Sequence, residues 1–297
     1  MMSRWLATLL LVALLVASLT ANAADSRPVP SSTRATAAQF AYHATGKYFQ
    51  FHSNIPPQRL ALYARFSDLF VDLVDRDFFR VTTKFPIHAF ILEDKAKFQA
   101  FLRSTFNVSV PSEYGMYLPE AAAFITYDGS GLGTFTHEIA HPLVEESLPH
   151  RPQWAMEGIP AFFEKFYGFI QDGKLELQWG YQNPWRIERL GAALTQLKLI
   201  RVVYGSEDTS EKRLVSVFLH RRGKFKTFLD LVQTDNRRGF RTHLEAAFDA
   251  PLDELESDWQ AYLKAVENDR RQIMRLPASQ VFDTAEQYRQ FAARVGL

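Results

Sequence analysis

Apolar residues recur along this chain with two different periods, and the alternation between them marks out a string of short elements. Between residues 58 and 79, Leu60, Leu62, Phe66, Leu69, Phe70 and Leu73 fall at helical spacing. Residues 47–53 (KYFQFHS) alternate aromatic with polar side chains, as a half-buried strand does. Residues 86–92 (PIHAFIL) form a continuous apolar run of strand length, and 94–106 an amphipathic helix. Two extended runs, 114–117 and 121–127, flank Leu118-Pro119-Glu120, which predicts a hairpin. The order strand, helix, strand, helix, strand, strand implies a small mixed sheet with helices packed on it.

Beyond residue 131 the pattern becomes mostly helical, punctuated by Pro142, Pro149, Pro152, Pro160 and Pro184. One extended run, 174–179, interrupts it, and helical patterns cover roughly 184–200, 210–222, 224–233, 238–248 and 252–268. The expected fold class is therefore α+β, a small mixed sheet with packed helices followed by a mostly helical half. One folded domain is predicted over 45–268. Residues 24–44, rich in Ser, Thr, Ala and Pro, read as a flexible lead-in, and 269–297 as a C-terminal tail.

Composition narrows the chemistry. The chain has 297 residues, enough for a substantial core, and its 25 Phe exclude a disordered composition. A net charge of +1 without a long basic run argues against nucleic-acid partners. There is no cysteine, so disulfides, thiolate nucleophiles and thiolate metal sites are excluded, and any metal must be held by His and carboxylates. Residues 1–23 have the pattern of a secretory signal: Arg4, an apolar or small run from 5 to 19, then Ala21-Asn22-Ala23. A fifteen-residue run at about 1.5 Å per residue falls short of a bilayer core of roughly 30 Å. A periplasmic or secreted protein with no stable membrane span is expected.

Residues 137–141 read His-Glu-Ile-Ala-His. On a helix, positions i and i+4 lie about 40° apart around the axis, so two imidazoles can face one ion. Glu138 flanks that ion without binding it, where a carboxylate can take a proton from an activated water and pass it to a leaving amine. Phe135, Ile139 and Leu143 form an apolar stripe on the other side of the helix. A glycine-rich turn over 128–133 precedes it, with Thr134 placed to cap its start. Fifteen residues after His141 intervene before Glu157, a carboxylate set in the apolar run Trp154-Ala155-Met156-Glu157-Gly158.

HEIAH followed by WAMEG and by Glu164 resembles the gluzincin branch of zinc peptidases, in particular the peptidase MA-like group. GMYLPEAAAFITYD, residues 115–128, is similar to the edge-strand segment that precedes the active-site helix there. FDAPLDELESDWQAYL, residues 248–263, resembles a Leu-Glu-x-x-Trp helix that often closes such domains. The resemblance implies a zincin-like fold, Zn2+ held by His137, His141 and Glu157, Glu138 as general base, and peptide or protein substrates. A catalytically degenerate zincin that binds peptides or cell-envelope partners is the alternative.

Several residues carry further expectations. Pro142 directly after His141 is expected to kink or end the helix. Tyr167, Tyr181 and Tyr204 are the candidates for oxyanion stabilisation. Glu164 either orients a zinc-bound histidine, or is solvated or paired with Lys165. Glu164, Glu145 and His150 stand as substitute ligands should Glu157 lie elsewhere. His43, His52, His88, His220 and His243 show no ligand spacing. Residues 115–127 are expected to form the sheet edge beside the cleft, with Ala121, Ala122 and Ala123 admitting a substrate backbone.

Overall fold

The computed structural model describes residues 27–235 and 240–297. The predicted signal, residues 1–23, lies outside them. In chain order the elements are α1 (Ser31–Ala37), β1 (Tyr42–Thr45), β2 (Phe49–Ser53), α2 (Pro57–Asp77), β3 (Ile87–Leu92), α3 (Lys95–Phe106), β4 (Gly115–Leu118) and β5 (Ala123–Tyr127). There follow α4 (Leu132–Ser147), α5 (Ala155–Phe162), β6 (Tyr167–Gln171), β7 (Lys174–Gln178), α6 (Pro184–Leu190), α7 (Leu199–Gly205) and α8 (Thr209–Arg221). The chain closes with α9 (Phe225–Thr234), α10 (Phe240–Phe248), α11 (Leu252–Asn268), α12 (Arg270–Ile273), β8 (Gln280–Phe282) and α13 (Ala285–Val295).

The first sheet has the order β1-β2-β3-β5-β4, with a parallel centre and antiparallel pairs at both sides. Parallel neighbours need crossover connections, and α2 and the α3–β4 segment supply them. Side chains alternate across the sheet. Ile87, Ala89, Ile91 and Phe124 enter the main core with α2 and α4, whereas Phe90, Leu92, Ala123 and Ile125 face a smaller core with Phe98, Leu102, Ala37 and Phe40. The sheet is thus covered on both faces, which is why its central strands read as unbroken apolar runs.

Three expectations need adjusting. The segment read as a flexible lead-in carries α1, whose Thr33, Thr36 and Ala37 are buried, and begins β1. The segment read as a tail carries β8, which pairs in parallel with β6, and α13, whose Tyr288 and Phe291 pack on Tyr167. The expected mostly helical half therefore contains a second sheet, β7-β6-β8. Its β6–β7 hairpin turns at Asp172-Gly173, both at positive φ, the geometry that Asp-Gly supports. No helix among the described residues is long and apolar enough to cross a membrane.

Candidate metal centre

The helix α4 leaves the sheet directly from β5, so its first turns stand at the open end of the strands. Phe135, Ile139 and Leu143 are fully buried, and Phe135 meets Phe51, Phe66 and Phe124 edge-on or tilted. That packing fixes the helix's rotation and turns His137 and His141 to the opposite side. The chain then returns through α5, and the two helices approach closely because position 133 is glycine: a Cβ there would collide with the Glu164 carbonyl oxygen. As a result Glu157, near the start of α5, lies over the two histidines.

The distances would allow the three side chains to share one ion. His137 Nε2 and His141 Nε2 are 3.0 Å apart. Glu157 Oε2 lies 3.5 Å from His137 Nε2, and Glu157 Oε1 lies 3.8 Å from His141 Nε2. One donor atom from each residue falls within 4.8 Å of the others. Tetrahedral bonds of about 2.0–2.1 Å separate neighbouring donors by roughly 3.3 Å, so these side chains fit a zinc-sized ion. Two imidazoles and one carboxylate also leave a fourth position for water or substrate.

Behind His137 stands Glu164, its Oε1 3.0 Å from His137 Nδ1. The contact lacks hydrogen-bond geometry, so Nδ1 is left buried without a hydrogen-bond partner. The nearby carboxylate charge nonetheless favours a proton on Nδ1, which would leave the Nε2 lone pair for a metal. Glu164 is itself fixed. Arg186 forks onto both of its oxygens, donating from Nε to Oε2 at 2.6 Å and from Nη2 to Oε1, and Asn183 Nδ2 donates to Oε2 at 3.1 Å. Arg213, 1% exposed, lies 4.0 Å from the same carboxylate and donates to the Ala161 and Tyr181 carbonyls. The expected alternative, an ion pair with Lys165, does not form; Lys165 Nζ donates to the Pro277 carbonyl instead.

Three carboxylates, two imidazoles and the guanidinium groups of Arg186 and Arg213 are electrostatically coupled here. Burial opposes protonation of His137, but contacts with Glu157 and Glu164 outweigh it and raise its pKa to about 10. Burial and the charge of His137 push His141 down to about 3. Burial would raise Glu157 and Glu164, yet His137 and His141 bring Glu157 to about 2, and Arg186 with His137 holds Glu164 well below the usual carboxylate range. Glu138, 4% exposed, is raised to about 8 by burial and by the two other carboxylates, against the pull of His137. The polypeptide alone draws a proton to the spot between the carboxylates; a dication would serve the same balance and lower Glu138.

Glu138 Oε2 is buried without a hydrogen-bond partner, beside Gly115 of β4. A Cβ at Gly115 would stand 2.5 Å from Glu138 Oε1, so only glycine leaves room for the carboxylate in this place. Both residues, with His137, His141 and Glu157, line one cleft of about 850 Å³. Tyr117, also on β4, stacks on His141 with ring centroids 5.8 Å apart and donates to Glu145 Oε2 at 2.8 Å.

Other expected site features are placed differently. Helix α4 runs through Pro142 to Ser147 rather than ending at His141, and the Pro142 carbonyl accepts from Thr83 Oγ1. Thr134 does not cap the helix; the N-cap is Gly131, and Thr134 Oγ1 donates back to the Ser130 carbonyl. Tyr167 is buried with its hydroxyl donated to Pro277, Tyr181 packs on Tyr167, and Tyr204 is exposed; none lines the cleft. The sheet edge is β4 alone, since β5 lies between β3 and β4 and Ala122 and Ala123 are buried in the core. His150 does not line the cleft, whereas Glu145 does. Sequence reasoning missed Arg186, Asn183, Tyr117 and Gly115, none of which shares a local motif with the residue it serves. Compared with known protein families and with curated proteins, the chain finds no significant match.

Proposed function

We propose that this chain is an exported zinc-dependent hydrolase of peptide bonds. The observation that carries the reading is the convergence of His137, His141 and Glu157 within 4.8 Å, next to the buried, unpartnered carboxylate of Glu138. When bound, zinc supplies Lewis-acid polarisation of a substrate carbonyl and acidifies a water. His137, His141 and Glu157 hold the ion, and Glu164 keeps His137 in the coordinating tautomer.

Glu138 takes a proton from the water as its oxygen adds to the carbonyl carbon. The carbon–nitrogen bond then breaks, and the same proton leaves with the amine. The outer edge of β4 supports extended binding: it pairs with β5 on one side only, and Gly115, Met116 and Tyr117 line the cleft. A peptide laid along it is held by backbone hydrogen bonds whatever its side chains.

A second reading, a peptide-binding module without turnover, draws on one observation: the three expected oxyanion tyrosines stand outside the cleft. Metal analysis of purified protein with a peptide-cleavage panel separates the two. Glu138→Gln should retain zinc and lose activity by about 10²–10⁴-fold, the usual share of a general base. Less than a tenth of an equivalent of zinc, with no thermal shift on adding it, ends the metal reading; zinc with tight peptide binding but no cleavage supports the module.

A further inference from the structure

Two aromatic side chains in mutual contact line the cleft. Tyr114 precedes β4, and Trp185 lies in the first turn of α6. Each is 44% exposed, both line the cleft that holds the histidine–glutamate cluster, and their ring centroids stand 6.3 Å apart at an interplanar angle of 41°. Exposed large apolar residues elsewhere, such as Leu62, Val110 and Ile200, do not line this cleft. Isolated apolar side chains on a surface are ordinary; two half-exposed rings in contact with each other at the lining of one cleft are not explained that way.

Each ring is one residue from the chemistry. Tyr114 adjoins Gly115, which packs against Glu138. Trp185 adjoins Arg186, which grips Glu164 and through it His137. Lys95 Nζ lies 5.4 Å over Tyr114, and the Arg186 guanidinium 4.2 Å over Trp185. Each cation engages one ring by its quadrupole and steadies it. At 6.3 Å and 41° the two rings are in direct tilted contact, so together they offer one continuous apolar surface at the lining of the cleft.

Resting on the proposed peptidase activity, we infer that Tyr114 and Trp185 form the side-chain specificity subsite of this cleft, taking an aromatic or large branched apolar residue near the scissile bond. Such a residue would cover both half-exposed rings and remove their apolar surface from water along with its own. A small or charged residue at the same place leaves the rings wet or loses its own hydration. Substrate selection and metal-site geometry are then read by neighbouring residues on the same two elements.

The test uses the zinc-loaded protein, Tyr114→Ala, Trp185→Ala and Trp185→Leu, and blocked peptides that vary one position through Phe, Leu, Ala and Asp. The native protein should prefer Phe or Leu over Ala by at least about tenfold in kcat/KM, the scale on which apolar pockets discriminate. Tyr114→Ala and Trp185→Ala should reduce that ratio below about threefold, with Trp185→Leu between. Zinc content and melting temperature are the structural controls, and Trp185→Leu with Tyr114→Ala suffices if Trp185→Ala does not fold. A preference that survives in the variants, or no apolar preference in the native protein, overturns the subsite and leaves peptidase activity standing. If no peptide is cleaved, fluorescence anisotropy of labelled peptides of the same panel decides. A Phe preference lost in the variants upholds the subsite while peptidase activity falls, and absent or unselective binding overturns both.

Discussion

Glu164→Gln separates the proposed metal site's supporting interactions from its ligands. The change keeps the side chain's shape but removes the charge that faces His137 Nδ1 at 3.0 Å and receives the fork of Arg186. Two costs follow. Arg186, 7% exposed, would lose its carboxylate partner, the one it has among the described residues, and removing one member of a buried pair typically costs about 3–5 kcal/mol. For a domain of this size about 3 kcal/mol corresponds to a fall in Tm of roughly 6–12 °C. Separately, His137 loses the group that sets its tautomer, and such supporting partners are worth about 10–100-fold in metal affinity. Differential scanning fluorimetry of metal-free protein reads the first cost, and zinc competition against a chromophoric chelator reads the second. A variant that melts lower but binds zinc within about threefold of wild type would refute the orienting role, leaving Glu164 as a purely structural anchor for Arg186.

Other expectations follow from single contacts. Gly115→Ala places a Cβ where Glu138 Oε1 now stands, so steady-state kinetics should show kcat lowered at least about tenfold with zinc stoichiometry unchanged. Undiminished turnover would show that Glu138 is not held by this contact. A third test concerns acid stability. His52 Nε2 lies 2.7 Å from His88 Nδ1, and His52 Nδ1 lies 2.9 Å from His43 Nδ1. Burial, then the neighbouring His88 and His43, lowers the His52 pKa from 6.5 to about 3. The unfolded state therefore binds this proton first, so stability is full above pH 6.5 and falls as pH drops toward 3. At pH 5 the loss from this one group is about 2 kcal/mol. Urea melts of His52→Leu should show a shallower decline between pH 7 and 5, and an unchanged slope would assign the decline to other groups.

Strands β2 to β5 and the paired histidines were legible because their information is local, whereas β1 lay largely in the segment read as a flexible lead-in. A run such as IHAFIL declares a strand by itself, and His137 and His141 share a face through the period of their own helix, whatever packs around it. A small mixed sheet followed from the order of strands and helices, while its parallel centre is seen only in the structure. What the sequence could not carry is how one element stands against another. Glu157 and Glu164 reach the histidines only because α4 and α5 approach at Gly133, and Arg186 reaches Glu164 from a separate helix. β6 pairs with β8 across more than a hundred residues, joining Tyr167 to Gln280, so a segment that looked like a tail is part of a sheet and its Ala278 and Ser279 line the cleft. Pro142 broke a local rule without breaking the helix: Phe135, Ile139, Leu143 and Val144 are fully buried on either side of it, and tertiary packing outweighs the one lost backbone hydrogen bond. Helical periodicity put His137 and His141 on one face and the family resemblance named Glu157 beside them; the close approach of α4, α5, α6 and β4 decided which side chains meet.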